Sequence, residues 1–313
     1  MRSFFEKRQF IEVETHQLLP APSTEPHIDA LKAEVALDWH QPLKKQTRFL
    51  HTSPELSLKR VLAGGAENVF SLARVFRGGE LSALHLPEFT MLEWYRTHAS
   101  LEDLQKDCLH LLREVRDALF VKTSFSLDDM EVRSCQELFL SIAKVDLRAA
   151  LVEMNAGDER ALPRRCKAAG HVLPPNADFE DAFFHVMGTK VEPVIGREKP
   201  CFVTRWPYPM AIFAKYCADD KLFADRFELY LGGMELANAF DEVTCPEEQR
   251  KRFENAQAQR RALGKETLPV DEDFLKSLVD LPQTAGIALG WDRLLMALLD
   301  ENDIQDVQVL RWK

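Results

Sequence analysis

The sequence predicts an α+β fold built around a mainly antiparallel sheet. Three observations carry that prediction. Strand-like runs alternate with helical stretches of irregular length, unlike regular βαβ units. Gly232-Gly233 stands between two strand-like runs, a strong two-residue hairpin signal. A 46% hydrophobic content over 313 residues is enough to bury a large core, in one big domain or two ordinary ones.

Taken in order, Phe4, Phe5, Phe10, Ile11 and Val13 predict a short amphipathic helix leading into a strand, and Pro20, Pro22 and Pro26 mark a loop. Strands are expected at 48–53 and 69–77, with a helix over about 54–62 between them. After the stretch VFRGGELSALHLPEFTMLEWY (75–95), Leu101–Leu119 carries apolar residues at helical spacing. From about 125 to 190 a helical pattern broken by Pro163 and Pro174-Pro175 predicts an inserted helical lobe. Strand-like residues return at Pro200–Phe213. A hairpin over 226–241, a polar helix to about Leu263, a helix near 271–279, and an apolar strand running into a helix at 291–299 complete the chain. There is no internal repeat.

Composition excludes several classes. No apolar run approaches the roughly 18 residues of a membrane span, and the charged start lacks a signal-peptide core, so a cytosolic protein is expected. Six cysteines without a Cys-x-x-Cys pair fit neither a zinc site nor a disulfide framework and are read as reduced, mostly structural thiols. A net charge of −10 argues against a broad nucleic-acid footprint. The basic cluster Arg250-Lys251-Arg252 with Arg260-Arg261 is read as the solvated face of a surface helix.

Three stretches carry candidate chemistry. In RFELYLGGMELANAFDE (226–242), a Leu231–Met234 pair would set Glu228 opposite Ala237 and make Glu235 its diagonal neighbour, roughly 7–8 Å away. Two such carboxylates suit Mg²⁺, which takes one or two carboxylates plus phosphate oxygens; an Arg or Lys partner is the alternative. Asn238, Phe240 and Glu242 fall on the other face of a regular strand, so a bulge or a strand end is needed to bring them to the same pocket. In TAGIALGWDRLLMALL (284–299), small residues permit close backbone approach. Arg293 in the first turn of the helix can meet an anion, or can simply pair with Asp292 at the surface. In the 75–95 stretch, Arg77 offers a planar fork for phosphate, Phe89 a flat face for a base and Glu93 a partner for an amine; taken alone, the stretch also reads as an ordinary hairpin whose Gly78-Gly79 supplies positive φ. Arg77, Arg293, Glu228 and Glu235 together compose a set suited to a triphosphate and its metal.

In chain order, TSPELSLKR (52–60), VFRGGE with HLPEFTMLEWY, FELYLGGMELANAFDE and GIALGWDRL resemble the catalytic core of class II aminoacyl-tRNA synthetases, closest to the lysyl type. Ala288, where lysyl enzymes usually carry glycine, and a start at the catalytic domain make the chain similar to the elongation factor P lysyl ligase family. That resemblance implies one catalytic domain over 1–313, without an anticodon-binding domain or anticodon-type tRNA recognition. It also implies a cytoplasmic homodimer joined through residues near Phe10 to Pro20.

The activity implied is ATP- and Mg²⁺-dependent activation of (R)-β-lysine, or less well of α-lysine, and transfer to a lysine of elongation factor P. The resemblance assigns Arg77 to the α-phosphate and substrate carboxylate. Phe89 would stack adenine, with Arg293 on its other side and reaching the γ-phosphate; His85 and Glu80 would lie at the nucleotide. Glu228 and Glu235 would hold Mg²⁺. Glu55 would take the substrate ammonium and Asn238 would help hold its carboxyl end, while Glu93, Tyr95 and Glu242 would line the pocket for the side-chain ammonium, with Phe240 and Ala288 also binding substrate. The sequence departs from the family at Gly78-Gly79, where Asn-Glu is usual, so the adenine-contacting glutamate is missing unless Glu80 replaces it. It departs again at Leu86 for asparagine, His16 for proline and Ala239 for glycine. A lysine activator with another acceptor, or a nucleotide-binding regulator without catalysis, are the competing readings.

Overall fold

A computed structural model describes residues 1–312. The chain forms two compact units, Met1–Ser100 with Glu242–Lys313 and Leu101–Asp241.

The first unit opens with α1 (Arg2–Glu6), β1 (Ile11–Glu12), β2 (Leu18–Leu19), β3 (Lys32–Ala36), β4 (Lys45–Leu50), α2 (Glu55–Ala63), β5 (Asn68–Phe76) and β6 (Glu88–Thr97). The second contains α3 (Leu101–Leu119), β7 (Glu131–Ser134), α4 (Cys135–Leu138), α5 (Leu147–Asn155), α6 (Ala161–Ala168), α7 (Phe179–Val186), β8 (Cys201–Pro207), β9 (Phe223–Leu231) and β10 (Met234–Asp241). The chain then returns to the first unit with α8 (Pro246–Ala262), α9 (Glu272–Ser277), β11 (Thr284–Gly290) and α10 (Trp291–Leu299).

In the first unit the strands run β1-β5-β6-β11, with β1 parallel to β5 and the other pairs antiparallel. In the second they run β10-β9-β8-β7, antiparallel except for β7 with β8. The period of two along β6 decides what lies on each face. Leu92 and Trp94 point one way and are fully buried. Phe5 packs there, stacked on Phe70 at 4.4 Å between ring centroids and 5.6 Å from Trp94. Phe89, Met91, Glu93 and Tyr95 take the opposite face.

The second unit's core gathers Phe139, Phe183, Trp206, Phe223 and Tyr230 with apolar residues of α4 to α7. Helices fill most of 135–186. Five of the six cysteines are buried and all are free; burial pushes the Cys166 thiol up to about 11 and those of Cys201 and Cys217 up to about 12, as suits packed, inert thiols.

Two expectations are corrected, and one element is added. The small sheet β2-β4-β3 was anticipated only in β4, as a strand at 48–53; in β3 the alternation is short, with small half-buried Ala33 and Val35 between exposed residues. The 75–95 stretch is not a tight hairpin: residues 77–87 form a long loop in which Gly79 alone of the pair has positive φ, at +79°, while the Gly78 N–H donates to the Asp29 carbonyl at 2.7 Å. The basic cluster is not a solvated face throughout. Arg252 is buried against Glu248, and Arg260 is buried where its guanidinium donates to the carbonyls of Glu25, Ile28 and Glu266 and to Asp29. It clasps the loop that holds Gly78.

Phe5→Ala should lower the unfolding free energy by about 3–5 kcal/mol, the usual cost of deleting a buried aromatic ring. Urea denaturation measures it, and a midpoint matching wild type would contradict the packing described.

Candidate active site

On β6 the registers set Glu93 opposite Ser71 on one side and Ala288 on the other, and Tyr95 opposite Gly286. The residues that face these positions across the sheet are small: Ser71, Ala288 and Gly286. Gly286 is held to glycine by contact rather than by φ, since a Cβ there would run into the Tyr95 ring and the Glu242 carboxylate.

A cluster of buried carboxylates occupies this face. Glu93, wholly buried, accepts from Ser53 Oγ at 2.5 Å and from the Tyr95 hydroxyl at 3.0 Å. The Ser53 Oγ also accepts from the Glu55 N–H at 2.9 Å, tying β6 to the start of α2. One helical turn on, Lys59 Nζ lies 2.5 Å from Glu55 Oε1 and 2.5 Å from Glu242 Oε2. Glu242 follows β10 directly and its N–H donates to the Thr284 carbonyl at 2.9 Å. Burial, then the charge of Glu55, push the Glu93 carboxyl up to about 8. Tyr95 rises well above its usual range through burial and the nearby carboxylates, so its hydroxyl stays a donor. Lys59 keeps its charge despite burial because Glu242 and Glu55 hold it.

The loop 77–87 collects the predicted nucleotide residues of this unit. Arg77 directly follows β5; its Nε points at the Thr52 carbonyl at 3.5 Å and its guanidinium lies 5.3 Å from the Phe89 ring centroid. Arg293, in the first turn of α10, reaches the loop from the other end of the sequence, with Nε 3.3 Å from the Leu84 carbonyl and Nη2 on His85 Nε2. Arginine only donates, so His85 Nε2 accepts and Nδ1 carries the proton toward Ser82 Oγ, 2.8 Å away. Asp292 is buried and accepts from the Thr90 N–H at 2.7 Å, so the expected surface Asp292–Arg293 contact is replaced by an anchor joining α10 to β6. Glu80 sits half-buried in the loop.

In the second unit the hairpin register differs from the regular one. Leu231 pairs with Met234 as expected, but a bulge between Glu235 and Ala237 shifts the ladder, and Glu228 faces Asn238 rather than Ala237. A one-residue shift moves every later side chain to the other face. Arg226, Glu228 and Tyr230 therefore share a face with Phe240, Asn238 and Glu235 respectively. The bulge that the sequence left open is what brings Asn238 and Phe240 to the two glutamates.

The alternative of an arginine partner is also realised. Arg226 Nη2 meets Glu228 Oε1 at 2.5 Å, while Nε meets Asn238 Oδ1 at 3.1 Å and Nη1 the Met210 carbonyl at 3.0 Å. Tyr230 donates to Glu228 Oε2 at 2.6 Å. Burial, then the charge of Glu235, push the Glu228 carboxyl up to about 8. Two carboxylates that repel on one face fit a dication, which would relieve that repulsion. Among the described residues no group of three or more His, Cys, Asp or Glu side chains is placed to hold a metal unaided.

Lys59, Ser53, Arg226 and Tyr230 were missed in the sequence. The Glu55-x-x-x-Lys59 spacing and the alternation Arg226, Glu228, Tyr230 were the available signals.

The family model of class II tRNA synthetases for aspartate, lysine and asparagine (D, K and N) matches residues 1–310. Elongation factor P–(R)-β-lysine ligases are among its curated relatives. The protein of that name from Pectobacterium atrosepticum is 36% identical over 317 residues, covering 98% of this chain and 90% of its own. That of Histophilus somni is 36% identical over 308 residues with the same coverage, and that of Salmonella paratyphi B is 35% identical over 309. The chain belongs to this ligase family. Its α+β fold and mainly antiparallel strands are those of a class II synthetase domain. Within the ligase family frame, the acidic cluster is set by β6, β11 and α2 and the paired carboxylates by β9 and β10.

Gly286→Ala should overpack this cluster and cost about 1–3 kcal/mol of stability. Thermal melting measures it; an unchanged melting temperature would show that Tyr95 and Glu242 do not close on Gly286.

Proposed function

We propose that the chain activates (R)-β-lysine, or α-lysine, with ATP as an aminoacyl-adenylate and transfers it to a lysine side chain of elongation factor P. The observation that carries the reading is the buried cluster of Glu55, Glu93 and Glu242 around one lysine. Its carboxyl groups outnumber its ammonium groups, and the excess shows in the Glu93 carboxyl, which burial and the charge of Glu55 raise to about 8. A substrate with two ammonium groups supplies what is missing, and the names of the relatives supply the acceptor.

In this reading the substrate's ammonium groups bind Glu55, Glu93 and Glu242, with Tyr95 donating to Glu93. Asn238, held by Arg226, receives the carboxyl end. The carboxylate attacks the α-phosphorus in line and pyrophosphate leaves. Arg77 and Arg293 stabilise the developing charge, with His85 orienting Arg293 and Phe89 offering its face to the adenine. Glu228 and Glu235 would hold Mg²⁺, which when bound neutralises phosphate charge. A neutral lysine amine of the acceptor then attacks the adenylate carbonyl, forming the amide and releasing AMP. Ile11, exposed on the edge strand β1, fits a homodimer joined through this segment. No helix among the described residues is long and apolar enough to cross a membrane, which fits an acceptor met in the cytoplasm.

Two outcomes test the reading. Incubation with ATP, Mg²⁺, (R)-β-lysine and elongation factor P should raise the intact mass of the factor by one lysyl group; a factor left unmodified by either lysine isomer would rule out the acceptor. The KM for lysine should also depend on pH. Glu93 is raised, so it stays protonated below about 8 in the free protein and must lose that proton to accept an ammonium. The KM should therefore fall as pH rises toward 8 and level above it, while the substrate side-chain ammonium, titrating near about 10.4, stays charged. A KM that rises over this range would contradict the assignment of Glu93.

A further inference from the structure

We propose that Lys59 is a positioning residue: a resident ammonium that holds Glu55 and Glu242 as a fixed charged pair and leaves the cluster able to take two further ammonium groups, so that the site selects diammonium carboxylic acids. This rests on the reading that the cluster receives the substrate's ammonium groups.

The geometry argues for it in three steps. Lys59 is 1% exposed, and its Nζ lies 2.5 Å from one oxygen of each carboxylate, which caps the separation of those oxygens at twice that distance. Two carboxylates from different elements, α2 and the residue after β10, are thus set by one atom. Second, Glu93 lies close enough to the same pair that burial and the charge of Glu55 raise its carboxyl while Lys59 lowers it. Three carboxyl groups share one ammonium, and a substrate carrying two would meet the other two once Glu93 gives up its proton. Third, packing alone does not explain Lys59. A buried ion pair is seldom more stabilising than apolar residues of the same volume, and a cluster kept for stability alone would not gather three carboxyl groups around one lysine.

Removal of Lys59 would not make a better trap for ammonium. Glu55 and Glu242 would face each other as like charges, and a proton would be taken up between them. A protonated carboxyl is a donor where the substrate ammonium needs an acceptor.

The test uses lysine-dependent ATP–pyrophosphate exchange by the full chain. Lys59→Met should raise the KM for lysine about 30-fold or more, the loss expected when one partner of a buried charged hydrogen bond is removed, and leave the KM for ATP unchanged. Lys59→Ala should regain affinity for lysine with added propylamine and not with propanol, which fills the same space without charge. A folded Lys59→Met with the wild-type KM for lysine, or rescue by propanol equal to that by propylamine, would overturn the proposal. Should Lys59→Met fail to fold, Lys59→Arg keeps the charge and changes its geometry. It should raise the KM for lysine alone, and equal effects on both substrates would count against a positioning role. Wild-type protein that exchanges with no lysine isomer would overturn the underlying reading of the cluster before Lys59 is in question.

Discussion

Buried carboxylates repel one another, and the first unit is arranged so that they remain close. Glu55, Glu93 and Glu242 come from a helix, a strand and a strand end. One lysine, one serine and one tyrosine satisfy part of their acceptor capacity. The rest is a standing demand for positive charge inside low dielectric, where each unmet interaction weighs most. The alternation of β6 puts Glu93 and Tyr95 on one face, Ala288 presents only a methyl opposite Glu93, and the absence of a side chain at Gly286 lets the Tyr95 ring and the Glu242 carboxylate close over it.

The second unit solves a related problem by register. A regular β10 would turn Asn238 and Phe240 away from Glu228. The bulge after Glu235 turns them back, and Arg226 then bridges Glu228 and Asn238 from a strand position two residues away. Arg226 also lies 4.2 Å from the Trp206 ring centroid, so stacking and three hydrogen-bond acceptors fix its plane. A carboxylate and an amide with distinct expected partners are thereby held by a single guanidinium.

Much of this was legible in the residues. Leu101–Leu119 and the β9–β10 hairpin were read at or near their observed bounds because apolar period and Gly-Gly turn chemistry are local signals. Glu93 was read from its strand as a partner for an amine, while Tyr95 entered only through the family resemblance. What escaped was non-local. Lys59 meets Glu242 across more than half of the chain, and Arg260 folds inward because a loop some 230 residues earlier offers it carbonyls. The bulge was named as a requirement and not located, since no Gly or Pro marks Leu236. In β3 the alternation of Ala33 and Val35 spans too few residues, and side chains too small, to stand out.

The central claim is that the acidic cluster answers to two substrate ammonium groups. ATP–pyrophosphate exchange measured side by side with (R)-β-lysine, α-lysine and norleucine, which lacks the side-chain ammonium, tests it most directly. The account predicts exchange with one or both lysine isomers and none above background with norleucine. Comparable exchange with norleucine would contradict it, because the buried carboxylates would then have no part in choosing the substrate.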